Sequence, residues 1–253
     1  MEITIHRYGT IDSTNSEAKR YGLSGGAIPA VFVAREQTAG RGRMGRSFYS
    51  PNGTGLYYSM LLPLPEKTDH AVSLTAAAAV AAAEAISRVL GCEVGIKWVN
   101  DLYRDGKKVA GILCESFPYE DKRLAVIGIG INLSTQQFPE ELAEVAASLF
   151  GTDQAAMDEE QKERLIEELT HRLLAAAQQP NAPELMARYR ARSTVLGKPI
   201  RFLQNGVEQE GIAEAITDTG ALSVRLNDGS ERLLQSGEIT LRLQETEKES
   251  NRR

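Results

Sequence analysis

Residues able to do chemistry concentrate in four short segments, and the most unusual is Gly40-Arg41-Gly42-Arg43-Met44-Gly45-Arg46. Its three guanidinium groups repel one another, and its glycines give the backbone little to hold them still. Such a loop is expected to stay mobile until an anion orders it. Read alone, it is as readily a solvated loop, or an arginine–glycine contact to single-stranded nucleic acid, as a loop that binds an anionic ligand. As letters it matches G-x-G-x-x-G after a strand, but a dinucleotide fingerprint needs a helix to begin inside the motif. Here the chain runs on into Phe48-Tyr49-Ser50-Pro51-Asn52-Gly53, which is turn chemistry. No G-K-[ST] follows to make a Walker loop.

Ser13-Thr14-Asn15 stands at a helix start, where Thr14-x-x-Glu17 fits a capping box. Three adjacent hydrogen-bonding side chains there also suit a polar, uncharged ligand, and the two roles are compatible. Lys97-Trp98-Val99-Asn100-Asp101 is read as a strand end, and Lys107-Lys108-Val109-Ala110-Gly111 as the start of the next strand. Arg104-Asp105-Gly106 between them reads as a tight turn. This is either an ordinary hairpin with solvated lysines, or a site where Lys108 meets an anion while Asn100 and Asp101 offer oxygens to a magnesium–nucleotide. Gly128-Ile129-Gly130-Ile131-Asn132 puts two glycines on one face of a strand. Glycine inside a strand marks close approach by a ligand, or by a helix such as the alanine-rich one below. Gly111 extends the same flat floor.

These segments need elements to position them. Ile3–Tyr8 alternates as a strand into a turn at 9–12, and a helix follows from Ser13 to before Gly25-Gly26. Ala30–Arg35, Leu56–Leu62, Glu93–Trp98, Lys108–Glu115 and Leu124–Leu133 read as strands. An alanine-rich helix begins at a Ser73 cap and ends at Gly91, and helices follow at about 159–177 and 183–192. After Ser193 the pattern changes to short β runs separated by turns at Asn205-Gly206, Asp218-Thr219-Gly220, Asn227-Asp228-Gly229 and Ser236-Gly237, as in a small barrel. The expected organisation is an α+β domain over 1–193, a small β domain over 194–245, and a disordered tail over 246–253.

Composition excludes classes rather than choosing one. With 42% hydrophobic and 25% charged residues, the 253-residue chain has the balance of a soluble globular protein. No apolar run approaches the ~20 residues of a membrane span. The N-terminus lacks a secretory pattern, so a cytoplasmic protein is expected. Cys92 and Cys114 read as two buried, reduced thiols, and His6, His70 and His171 form no ligand pair. A net charge of −5 argues against nucleic acid as a partner.

Taken in order, the four segments resemble the biotin protein ligase family, over about residues 8–133. Members of that family show an S-T-N turn, a G-R-G-R-x-G-R loop, a K-W-P-N-D segment with a downstream lysine and glycine, and a G-I-G-I-N strand. Gly237-Glu238-Ile239-Thr240-Leu241-Arg242 resembles the close of the family's SH3-like small domain. The resemblance implies a mixed sheet like that of class II aminoacyl-tRNA synthetases. It also implies ATP and biotin as substrates, with Mg2+. Biotin would lie against Ser13, Thr14, Asn15, Gln37, Arg41, Gly42, Arg43, Lys108, Gly111, Gly128 and Gly130. ATP would meet Arg41, Arg43, Arg46, Phe48, Asn100, Asp101 and Asn132, and the metal would meet Asn100 and Asp101. Lys108 and Arg43 would be catalytic, and Asp101 would help deprotonate the acceptor lysine. Two positions depart from the family pattern. Val99 stands where proline is usual, and Phe48 where tryptophan often covers the adenine.

The partner implied is a biotin carboxyl carrier protein, while a homodimer is left open. The chain opens on the catalytic segments without the helix-turn-helix of repressor members, so operator binding is not expected. The nearest rival is a lipoate or octanoate ligase or transferase, but those show an R-R-x-x-G-G-G-type segment instead of the G-R-G-R loop. An RNA-binding protein would need a basic surface and an aromatic platform, against 6% aromatic residues here.

Overall fold

The computed structural model describes residues 3–64, 71–151, 157–204, 206–235, 237 and 239–241. The expected tail at 246–253 lies outside them, as do Glu238 and Arg242 of the closing segment. The first part of the chain runs β1 (Thr4–Ile11), α1 (Thr14–Leu23), β2 (Ala30–Gln37), β3 (Gly55–Pro63), α2 (Ala71–Leu90), β4 (Gly95–Lys97), β5 (Asp101–Arg104), β6 (Lys107–Tyr119) and β7 (Lys122–Asn132). Helices α3 (Glu140–Ala143), α4 (Glu159–Gln178) and α5 (Pro183–Ala191) follow. Strands β1 to β7 form one mixed sheet in the order β1-β2-β3-β7-β6-β5-β4. Only β1 and β2 are parallel in it; the other pairings are antiparallel.

Alternation assigns each face of this sheet its own helices. Phe32, Leu61, Leu124 and Val126 point to one side and bury Ala18 of α1. Val31, Met60, Ile127 and Ile129 point to the other and pack with α2, α4 and α5. Helix α2 lies between the sheet and the outer helices, which is why it is alanine on nearly every side: Ala76, Ala79 and Ala82 are fully buried. By length and composition, Val72–Leu90 would suffice to cross a bilayer, contrary to the expectation that no run approaches that length. Its apolar character serves the core, since 67% of the stretch is buried. Ser73 lies within this helix instead of capping it, and its Oγ donates to the Thr219 carbonyl at 2.9 Å.

Two further boundaries differ from expectation. The expected turn at 9–12 is strand through Ile11, because residues 10 and 11 continue the ladder with β2. Asp101 opens β5 instead of ending β4, after a turn at 98–100 in which the Trp98–Val99 peptide is cis. Asp105 and Gly106 are both at positive φ and close the β5–β6 hairpin as expected.

Strands β8 (Pro199–Gln204), β9 (Val207–Ile216), β10 (Leu222–Leu226), β11 (Glu231–Leu234) and β12 (Ile239–Leu241) form a second, antiparallel sheet. Its order is β11-β10-β9-β8-β12. The β9–β10 turn is fixed to the rest of the protein at several points. Trp98 Nε1 donates to the Gly220 carbonyl at 2.9 Å, and Arg190 Nε donates to Ile216 O at 2.6 Å while the same guanidinium pairs with Asp218. Tyr189 Oη donates to the Val99 carbonyl at 3.1 Å, so α5 braces the 98–100 turn as well.

Cys92 and Cys114 are free and partly exposed, not the buried pair expected. Burial nevertheless pushes the Cys114 thiol, which faces Thr75, up to about 12.

Candidate active site

The glycine floor forms on the α1 face of the sheet. Gly128 and Gly130 of β7 lie opposite Leu113 and Gly111 of β6, and opposite Ser59 and Tyr57 of β3. The alanine-rich helix lies on the opposite face, so it does not account for these glycines. A Cβ on Gly128 would fall 1.9 Å from Asn15 Oδ1, and one on Gly130 would fall 2.4 Å from Phe48 Cε1. The close approach that glycine permits is therefore made here by Asn15 and the Phe48 ring.

One end of the pocket is polar and uncharged. Ser13 is the N-cap of α1 and accepts from Ser16 N, so the Thr14–Glu17 capping box does not form. Thr14 is freed to face Gln37, whose Oε1 accepts from Thr14 N at 2.9 Å and Thr14 Oγ1 at 3.1 Å. Gln37 Nε2 donates onward to Ser50 Oγ at 2.8 Å. Asn15 Nδ2 donates to Glu115 Oε2 at 3.0 Å, and Ser59 Oγ lies 2.7 Å from Asn15 Oδ1. These donors and acceptors hold one another in place, the kind of support that polar recognition requires.

Three cations gather around the site, each on an internal acceptor. Arg41 makes a two-point pair with Glu115, both contacts at 2.9 Å. Arg43 Nη1 donates to Asn100 Oδ1 at 2.9 Å and to the Gly237 carbonyl at 3.3 Å. Lys108 Nζ lies 2.7 Å from Asp101 Oδ1. The loop expected to await an anion is thus already engaged without one, because Glu115 and Asn100 supply oxygens in its place.

Ser13, Thr14, Asn15, Gln37, Arg41, Gly42, Arg43, Phe48, Asn100, Lys108, Gly111, Gly128 and Gly130 all line one pocket. Asp101 adjoins it through Lys108. Arg46 and Asn132 are not among the lining residues. Arg46 is exposed at the far end of its loop, and Asn132 is buried with its Nδ2 on the Ala147 carbonyl at 3.1 Å. As for a divalent cation, Asn100 and Asp101 offer one amide oxygen and one carboxylate. That set suits Mg2+ only together with substrate phosphates and water, and both oxygens now face Arg43 and Lys108.

Sequence reasoning missed Glu115, which adjoins the pocket through Asn15 and Arg41, and Tyr57, Tyr58, Ile112, Leu113 and Ile129, which line it. Glu115 shares a face with Gly111 and Leu113 by simple alternation, so its signal was present. Tyr57 lies in register with Gly130, and burial pushes its phenol up, keeping it a neutral donor to Pro51 O.

Residues 10–132 match the Biotin/lipoate A/B protein ligase family, and residues 195–242 match the Biotin protein ligase C terminal domain. The chain is 35% identical over 236 residues to a biotin--[acetyl-CoA-carboxylase] ligase of Mycobacterium tuberculosis, covering 90% of this chain and 85% of that protein. It is 39% identical over 145 residues to the bifunctional ligase/repressor BirA of Bacillus subtilis, covering 56% of this chain but only 45% of that relative's length. A solved biotin protein ligase from Aquifex aeolicus, in complex with biotin and ATP, superposes with a TM-score of 0.78 at 26% identity. That superposition covers 94% of this chain and 98% of the other. With both parts of the chain matched and a full-length relative at this identity, the chain belongs to the biotin protein ligase family.

Proposed function

We propose that this protein joins biotin to ATP as biotinyl-5′-AMP, then transfers the biotinyl group to one lysine of a biotin carboxyl carrier protein. The observation that carries this reading is the polarity of the pocket. Thr14, Asn15 and Gln37 make one end suited to a neutral heterocycle, and Arg43 and Lys108 make the other suited to anions.

In the first step a carboxylate oxygen bonds to the α-phosphorus, and the bond to the β-phosphate oxygen breaks to release pyrophosphate. Two anions ~4 Å apart in a partly desolvated site repel by about 4 kcal/mol. Arg41, Arg43 and Lys108 offset that repulsion and stabilise the charge that builds on phosphate. Asn100 and Asp101 would hold a magnesium ion, which supplies further charge neutralisation at the phosphates. In the second step the lysine amine bonds to the acyl carbon and AMP leaves. The amine must shed a proton, and Asp101 is assigned to accept it. The loop then serves to keep water from the anhydride.

The empty cavity measures about 50 Å³. A cavity of ~150 Å³ is what benzene occupies, and the Phe48 ring covers Gly130 and Gly111, so a bicyclic acid is expected to displace that ring. The deciding experiment is pyrophosphate release from Mg-ATP with biotin, lipoate or octanoate as the only acid. Release with biotin alone supports the reading, and a preference for lipoate or octanoate overturns it.

A further inference from the structure

Arg43 differs from its neighbours in what holds it. Arg41 and Lys108 face carboxylates, whereas Arg43 faces two neutral oxygens, Asn100 Oδ1 and the Gly237 carbonyl. A neutral acceptor orients a guanidinium without cancelling its charge. Gly237 precedes β12 in the C-terminal sheet and sits at φ 132, a backbone that glycine alone adopts freely. That backbone directs its carbonyl at Arg43 from 194 residues away in sequence.

The second acceptor is braced from both sheets. Asn100 Nδ2 donates to Ile112 O at 3.0 Å, and the turn carrying it is fixed by Trp98 Nε1 on Gly220 O. Trp98 is 3% exposed, so that bond is made away from water. Gly237 is therefore set by where the small sheet docks, and Asn100 by β6 together with that same docking.

We propose that Gly237 is a positioning residue for the adenylation step: its carbonyl, with Asn100, presents the Arg43 guanidinium to the incoming phosphate before ligand binds. This rests on the ligase reading above. Without the carbonyl, the guanidinium must be ordered at the moment of binding, so KM for Mg-ATP suffers more than kcat.

The test is a double-mutant cycle on biotin-dependent pyrophosphate release, using Gly237→Ala, Arg43→Ala and the pair. The expected result is about a tenfold rise in KM for Mg-ATP in Gly237→Ala, with kcat within about twofold, and no further rise when Arg43 is already alanine. Equal losses in both backgrounds would mean that Gly237 only supports the sheet, and would overturn the proposal. Should Gly237→Ala not fold, arginine side-chain 15N spectra of the ligand-free wild type decide instead. Restricted rotation of the Arg43 guanidinium supports the proposal, and free rotation overturns it. A wild-type protein that released no pyrophosphate with biotin would overturn the ligase reading itself, a separate result.

Discussion

Lys108 of β6 reaches Asp101 of β5, Nζ to Oδ1 2.7 Å, although they sit on opposite sides of a hairpin turn. The pair keeps the ammonium beside the Gly111 floor, where a Cβ would fall 3.1 Å from Nζ. Replacing Lys108 by alanine is expected to lower biotin-dependent pyrophosphate release by about 100-fold or more, the scale of losing one charged stabiliser of a transition state. Unchanged release by that variant would remove Lys108 from the first step.

Arg43→Gly removes the link from the loop to Asn100 and to Gly237. This variant should still form the adenylate but release it faster, giving indiscriminate labelling of lysines on bystander proteins. Mass-spectrometric counting of biotinylated sites tests this. Labelling confined to the carrier would show that Arg43 does not shield the intermediate.

Phe48→Ala should divide the two substrates. The ring lies on Gly130 and Gly111 in the empty site, so its removal spares biotin the work of displacing it. A several-fold lower Kd for biotin is expected, about 1 kcal/mol. If the ring later covers the adenine, as the family resemblance implies, KM for ATP rises in the same variant. Calorimetry showing weaker biotin binding would contradict the displacement.

Gly128→Ala places a methyl 1.9 Å from Asn15 Oδ1, in a side chain held by Ser59 at Oδ1 and by Glu115 at Nδ2. Something must shift, and overpacking of this kind costs about 1–3 kcal/mol. A fall in Tm of about 2–4 °C per kcal/mol is expected for a chain of this size, with biotin binding lost. A variant with wild-type Tm and affinity would show that the floor yields easily.

Acid should loosen the start of α1. Asp12 lies beside Arg20, which donates to both of its carboxylate oxygens at 2.8 Å and lowers its pKa to about 2. The folded value lies below the unfolded one of ~3.9. The pair therefore stabilises fully above that value, and its contribution fades as pH falls toward 2. Both side chains are more than a third exposed, so screening holds the effect to under about 1 kcal/mol. Comparing Tm from pH 5 to pH 2 for wild type and Asp12→Asn tests this, and parallel curves would refute it.

Much of the site was legible in the sequence, because its parts obey local rules. Strand alternation put Gly128 and Gly130 on one face, and Asp105-Gly106 announced its turn. The losses share a physical cause, which is that register and long-range partners are not written locally. Arg41 meets Glu115 from 74 residues away, and nothing near Arg41 names that carboxylate. Asp101 was placed at the end of β4 because β5 is only four residues long and leaves little periodic signal. Thr14 had the spacing of a capping box, but Ser13 took the cap. Asn132 had the chemistry of a ligand contact, yet it holds the Ala147 segment.

The way the site's cations are partnered also bears on how charge is shared there. Among the described residues, Arg41 pairs with Glu115 and Lys108 with Asp101, whereas Arg43 rests on neutral oxygens. ATP brings several negative charges to the site, whereas an acyl-adenylate carries one. On the proposed reaction, Arg43 alone balances the adenylate, whereas the nucleotide draws on Arg41, Lys108 and a magnesium ion as well. Once pyrophosphate has left, Arg41 and Lys108 can return to Glu115 and Asp101 while Arg43 stays with the adenylate, the last anion the site then holds.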